Sequence, residues 1–398
     1  MKDLKIFTNN IEDSAKAQID LLLEQEAFKN CKVRIMPDVH AGAGCVIGFT
    51  GNLGDKVIPN IVGVDIGCGM LCVELGNIDI DLKQLDEVIR EYIPSGMNVH
   101  KEEVAYFNLK QLYCYEELRN KDNWLNKSLG TLGGGNHFIE IDVDDENNKY
   151  LVIHTGSRNL GKQVAEIYQN KAIEYCSYKN EMNEEKNKLI QQYKEQGRQQ
   201  EIQQALIEIS KKYEGKTKLP KELCYLEGKD REDYLHDMKL CQEFAYKNRE
   251  WIYGEIVIKM GLALCVQDYF QCIHNYINFE DNIVRKGAIS ARKGEKVIIP
   301  MNMRDGCIIG IGKGNEDWNY SAPHGAGRTM SRNIARQSLS MEDYKLSMEG
   351  IYTTSVNEDT IDEAPMVYKP MEEIIEHIKD TVEVEKIIKP IYNFKASE

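Results

Sequence analysis

The stretch Gly63-Val64-Asp65-Ile66-Gly67-Cys68-Gly69-Met70 constrains this chain more than any other. A carboxylate and a thiolate stand three positions apart in it, and the glycines around them let the backbone turn sharply and approach a ligand closely. Taken alone, an Asp and a Cys buried beside tight turns would also account for it. Its company carries the argument further. His40, His137, His154, His274 and His324 each sit in or beside polar or glycine-rich turns, mostly where an apolar run ends, whereas His100, His236 and His377 lie in ordinary contexts. A fold that serves this pattern holds several loop ends on rigid elements, a good platform for chemistry.

Apolar periodicity gives a coarse map. Ile11, Ala15, Ile19, Leu22 and Leu23 predict an amphipathic helix within 10–29. Residues 33–36 and 46–49 read as strands around a glycine-rich turn at 37–45, and 57–64 leads into the Asp65 stretch, so that Asp65 and Cys68 fall on a loop between strands. A strand follows at 70–75, and 80–118 reads as helical with an interruption at Pro94-Ser95-Gly96. Strands at 138–141 and 150–153, joined by a turn at 142–148, predict a hairpin. Antiparallel pairing then brings His137 and His154 together with no assumption about function. From Val164 to Tyr213 the chain reads as a long charged helical tract, and Asp230–Gln267 as one or two helices whose apolar stripe includes Met238, Phe244 and Ala245. Later segments predict a strand at 296–300, a helix from Thr329, a loop at Asp362-Glu363-Ala364-Pro365 and a helix over 370–388. The expectation is a sheet-rich α+β protein, one core spanning 1–398, with residues 162–232 as a helical insertion.

Composition narrows the class. At 398 residues, 42% hydrophobic and 29% charged, the chain can bury a real core. It has no apolar run of membrane-spanning length and no signal-peptide pattern at its N-terminus, so a cytoplasmic protein without a membrane partner is expected. Eleven irregularly spaced cysteines suit a reducing compartment. A net charge of −14 argues against nonspecific coating of nucleic acid, though not against a local basic cleft at a site that handles an RNA end.

Imidazole, carboxylate and thiolate together suit Mn2+ or Zn2+, and one thiolate can bridge two cations. Two metals about 3.5–4 Å apart can bind the attacking and leaving oxygens of phosphoryl transfer. No CxxC pair and no HExxH is present, so neither a zinc ribbon nor a common metalloprotease is indicated. Gly325, Gly327 and Arg328 beside His324 offer close backbone approach and a guanidinium for phosphate. A neutral imidazole there could attack a nucleoside triphosphate, or it could be a structural turn histidine.

PDVHAGAG at 37–44, VGVDIGCGM at 62–70, GGGNHF at 133–138, HTGSR at 154–158, His274-Asn275, HGAGRTMSR at 324–332 and DEAP at 362–365 with Tyr368-Lys369 together resemble the signature set of the RtcB family of RNA ligases. The resemblance runs from about residue 31 to the end. It implies an RtcB-like catalytic core and joining of an RNA 3'-phosphate or 2',3'-cyclic phosphate end to a 5'-hydroxyl end, dependent on GTP and Mn2+. Carried over, His324 would be the nucleophile that takes GMP. Cys68 would bridge two manganese ions, His154 and His274 would complete one site, and Asp65 and His137 the other. Asn136 would steady the phosphate. Ser321, Gly325, Ala326, Gly327, Arg328 and Lys395 would hold GMP together with Asn136 and His324. The partners implied are RNA ends and an archease-like activator, in tRNA processing or RNA repair. The rival reading is a metal-dependent RNA-end phosphatase or cyclic phosphodiesterase lacking ligation.

Overall fold

Strands whose alternate side chains are buried on both faces build the centre of the protein. The computed structural model describes residues 3–396. The chain starts on a five-stranded sheet with β1 (Asp3–Ile6), β2 (Lys32–His40) and β3 (Ile47–Gly51). It passes to an eight-stranded sheet with β4 (Gly69–Gly76), β5 (Phe138–Val143), β6 (Lys149–Thr155) and β7 (Asp268–Ile273), then returns to the first with β8 (Asn275–Ile277) and β9 (Val284–Lys286). After β10 (Ala288–Ser290), β11 (Lys296–Asn302) and β12 (Gly306–Gly312) rejoin the large sheet, while β13 (Ser321–Pro323) pairs with β10. β14 (Tyr352–Thr353) and β15 (Val382–Lys395) finish the large sheet, whose order is β11-β12-β15-β5-β6-β4-β7 with β14 beside β15.

The helices are α1 (Asp13–Glu24), α2 (Pro59–Val62), α3 (Leu82–Tyr92), α4 (Arg158–Tyr175), α5 (Lys179–Glu195), α6 (Ile202–Tyr213), α7 (Gly228–Lys259), α8 (Arg332–Ser338), α9 (Met341–Ser347) and α10 (Met371–Ile378). Leu71, Val73 and Leu75 of β4 pack with α3 and α7 on one face of the large sheet, whereas Met70 and Cys72 pack on the other with β11, β12 and α10. A third cluster joins α1, α2, α4 and α7 to the small sheet. Among the described residues no helix is long and apolar enough to cross a membrane.

The hairpin of β5 and β6 forms in the expected register, with Phe138 opposite His154. Several expectations need correction. Residues 370–388 are not one helix: α10 stops at Ile378 and the chain turns into β15, because Val382, Ile388 and their neighbours fill the gap between β12 and β5, and tertiary pairing outweighs local propensity. The turn at 37–45 starts later than read, since β2 runs on through Pro37 and Asp38 to His40 across a register shift that accommodates the proline. Before Asp65 stands the single turn of α2 rather than a strand. After α3, residues 93–118 are irregular, with 3-10 turns at Leu109–Gln111 and Tyr115–Glu117, instead of more helix. The DEAP segment spans two 3-10 turns, and the helix placed from Thr329 begins at Arg332 after a Ser331 cap. Within 162–232, α4 contributes Val164, Ala165, Tyr168 and Ala172 to the core, while α5 buries no residue and α6 buries only Ile209. The part that stands clear of the core is therefore the α5–α6 hairpin.

Candidate active site

Three strand ends meet where the large and small sheets adjoin. His274 is the single residue between β7 and β8, at the crossover from one sheet to the other, and its backbone N–H donates to the Cys68 carbonyl at 2.9 Å. Cys68 directly precedes β4, and His137 directly precedes β5. His154 lies in β6 between Phe138 and Met70 on the neighbouring strands. Sheet register therefore converges the four side chains.

The contacts form a row. Asp65 Oδ2 lies 3.1 Å from His137 Nε2, which lies 3.4 Å from Cys68 Sγ. Cys68 Sγ is 3.3 Å from His154 Nε2, which is 3.4 Å from His274 Nε2. The His274 ring then faces His324 at a centroid distance of 4.8 Å. Gly156 leaves room for the first member, since a Cβ there would fall 2.2 Å from Asp65 Oδ1.

The chemistry of this donor set calls for a cation. Nδ1 of His137 donates to the Leu132 carbonyl at 2.8 Å, and Nδ1 of His154 donates to the Asn136 carbonyl at 3.1 Å. A carbonyl only accepts, so in the neutral His137 and His154 rings the proton is on Nδ1 and both Nε2 lone pairs point at the Cys68 sulfur. Burial, reinforced by His137 for His154 and by His324 for His274, pushes both pKa values well down and opposes relief by protonation. One thiol proton satisfies one acceptor. Buried acceptors left unmet cost about 1–3 kcal/mol each, and a divalent ion removes that cost at every member of the row. Cys68, His137 and His154 offer ligand atoms within 4.8 Å of one another. Burial and the nearby Asp65 carboxylate raise the Cys68 thiol pKa well above its ordinary value, and a bound cation reverses that by stabilising the thiolate.

A cavity opens on the His324 end of the row. Its lining includes Asn136, His154, His324, Gly325, Ala326, Gly327, Arg328 and Lys395, eight positions the sequence put at the site. Ser321 does not join them: its hydroxyl is buried, accepts from Arg285 Nε at 2.9 Å and donates to the Asn319 carbonyl at 2.7 Å. His324 is held by Asp38, whose Oδ2 accepts from His324 Nδ1 at 2.6 Å and from the backbone N–H groups of His324 and Gly325 at 3.1 and 3.3 Å. This leaves Nε2 with the lone pair. Gly327, at φ +74°, passes so close to the β2 backbone that a Cβ would lie 2.4 Å from the Asp38 carbonyl oxygen.

Arg328 and Lys395 reach the cavity already paired. Lys395 Nζ lies 2.7 Å from Glu363 Oε2, Arg328 Nη1 lies 3.3 Å from Glu363 Oε1, and Arg332 Nη1 lies 2.7 Å from the same oxygen. Burial raises the Glu363 pKa, but Lys395, Arg332 and Arg328 outweigh it and hold the carboxyl at about 2. Glu140 also lines the cavity, and burial moves its carboxyl up to about 7 despite the Asn393 hydrogen bond and Lys395. Asp38, Glu140 and Glu363 were missed as site residues. Asp38 stood visibly two positions from His40 and Glu363 inside DEAP, but only the tertiary structure supplies their partners.

A family model described as tRNA-splicing ligase RtcB matches residues 25–125 and 114–396. The RNA-splicing ligase RtcB of Escherichia coli strain K12 is 30% identical to this chain, over 96% of this chain and 94% of that protein. The tRNA-splicing ligases RtcB of Nanoarchaeum equitans and Aeropyrum pernix are 27% and 24% identical, covering 86% and 85% of this chain and 83% and 82% of their own.

Proposed function

The chain belongs to the RtcB family, and from that premise we propose that it is an RNA ligase that joins a 3'-phosphate or 2',3'-cyclic phosphate end to a 5'-hydroxyl end, consuming GTP. The observation that carries the reading is the Asp38–His324 pair, whose imidazole lines a cavity that adjoins the row of metal-capable side chains. Asp38 keeps the His324 proton on Nδ1, so Nε2 attacks the α-phosphorus of GTP; an N–P bond forms and pyrophosphate leaves. Where the RNA end is a cyclic phosphate, water first opens it to a 3'-phosphate. An oxygen of that phosphate then attacks the same phosphorus, the N–P bond breaks, and His324 is returned with an RNA-3'-pp-5'-G end formed. The 5'-hydroxyl attacks the RNA phosphorus of that end and GMP leaves.

Asp65, Cys68 and His137 would hold one Mn2+, and Cys68, His154 and His274 a second. Such ions supply charge stabilisation for anionic phosphorus centres and activation of weak oxygen nucleophiles. Asn136 orients phosphate between the row and the cavity. The amides of Gly325, Ala326 and Gly327 approach the nucleotide closely, and Arg328 and Lys395 give its anionic part a positive wall whose excess charge Glu363 trims. We place the protein in the cytoplasm as one catalytic core over 1–398, acting in tRNA processing or RNA repair, with an archease-like activator as a further partner.

The test is incubation with labelled GTP and Mn2+. Acid-labile, base-stable label on the wild-type chain that is lost in His324→Ala, with bound manganese retained, is the expected result. Metal-loaded wild type that takes no label yet removes or opens RNA terminal phosphates would replace the ligase with a phosphatase or cyclic phosphodiesterase.

A further inference from the structure

Helix α7 meets the loops of the ligand row through two neighbouring side chains, Asn248 and Arg249, neither of which has any exposed surface. Successive residues of a helix point about 100° apart, so the pair can serve two different loops. Arg249 Nη1 donates to the Gly67 carbonyl at 3.0 Å and to the Thr155 carbonyl at 2.7 Å, and Nε donates to Gln271 Oε1 at 2.7 Å. It thereby ties the peptide that leads into Cys68 to the end of β6, one residue beyond His154. Asn248 Oδ1 accepts from the backbone N–H groups of Gly130 and Thr131 at 2.7 and 3.0 Å. Its amide nitrogen donates to the Thr131 and Gly156 carbonyls at 3.0 and 3.1 Å, with the Thr155 hydroxyl 3.3 Å away. That hydroxyl donates to the Leu132 carbonyl at 2.7 Å, the same oxygen that accepts from His137 Nδ1.

A guanidinium is costly to bury unless hydrogen bonds and opposite charge compensate it. Here the hydrogen bonds go to the backbone on either side of the row, and the Arg249 charge opposes that of Asp65 and of an ionised Cys68. Cys68 Sγ reaches His137 and His154 at once, at 3.4 and 3.3 Å, and a small rotation of the Gly67–Cys68 peptide would take it from one of them. Groups behind a set of ligands that fix their orientation set much of the affinity for the ion. We propose that Asn248 and Arg249 are positioning residues for the row: Arg249 fixes the Cys68 sulfur between His137 and His154, and Asn248 holds the loops that aim His137 Nε2. Neither residue lines the His324 cavity, so the pair acts on the GTP reaction through metal affinity. This inference rests on the reading of the row as the Mn2+ site of an RNA ligase.

The test measures Mn2+ binding to the full chain by calorimetry without GTP, and GTP labelling of His324 over a range of Mn2+ concentrations. It compares wild type with Arg249→Met, Arg249→Lys and Asn248→Ala. The expected result is Mn2+ affinity weakened about 10- to 100-fold in Arg249→Met and Asn248→Ala. Arg249→Lys, which keeps the charge and one reach to a carbonyl, should fall between Arg249→Met and wild type, and the labelling deficit of each variant should shrink as Mn2+ is raised. Variants that are folded by far-UV circular dichroism and bind Mn2+ with wild-type affinity overturn the assignment and leave the pair a packing element of α7. Wild type that binds Mn2+ but takes no label ends the ligase reading, while the calorimetry still decides the role of the pair. Wild type that binds no Mn2+ overturns the positioning role together with the metal row. Should the α7 variants fail to fold, Gln271→Leu, which removes only the Nε acceptor from a half-buried position, decides alone: severalfold weaker Mn2+ binding upholds the role of Arg249 and unchanged binding overturns it.

Discussion

Asp38 shows how one buried residue sets the state of another. It has no exposed surface, and one of its oxygens receives three N–H donors from His324 and Gly325. In Asp38→Ala the three donors lose their one acceptor, so nothing keeps the ring proton on Nδ1 or fixes the ring toward the cavity. GTP labelling of His324 should fall at least about a hundredfold while bound manganese, measured by elemental analysis, stays at the wild-type level. Labelling at the wild-type rate would show that Asp38 only positions the loop. Glu363 makes a prediction about stability. Its pKa is about 2 in the folded protein against an ordinary 4.5, so its contribution is present above pH 4.5 and is lost as the pH falls toward 2. The full effect is about 3 kcal/mol. Urea unfolding between these pH values should show a steeper acid loss in wild type than in Glu363→Gln.

At the level of elements, β15 and the α5–α6 hairpin stand in contrast. β15 is held between β12 and β5 and delivers Lys395 opposite Phe138 at the wall of the cavity, so the C-terminal strand is part of the site. α5 and α6 pair with each other, and their surface ion pairs, such as Lys212–Glu185 at 2.8 Å with both side chains exposed, contribute little to stability. The feet of the hairpin are tied by the antiparallel bridge of Ser177 with Thr217. Replacing residues 179–213 by a short Gly/Ser linker should therefore leave Tm within a few degrees of wild type and GTP labelling unchanged. A fall of about 10 °C or more would show that the hairpin braces α4 and α7.

For the whole molecule, the apolar clusters flanking the sheets are extensive and do not depend on the ligand row to form. Chelation is expected to strip metal and abolish GTP labelling while far-UV circular dichroism persists, unlike a small domain folded around its ion; loss of secondary structure would instead make the ion structural. The amino-acid sequence was enough to show which residue types carry the chemistry, because an Asp and Cys among glycines and histidines at the ends of apolar runs are local patterns. It also placed His137 beside His154, since hairpin pairing is set by residues close in the chain. It did not reveal that 382–395 is a strand, that Ser321 turns inward, or that Asp38 and Glu363 hold His324, Arg328 and Lys395. Those outcomes depend on partners as far apart as Asp38 and His324, and the two sheets alone bring such partners within hydrogen-bond reach. The row from Asp65 to His324 is likewise a product of where the sheets meet, because its members come from five separate stretches of the chain.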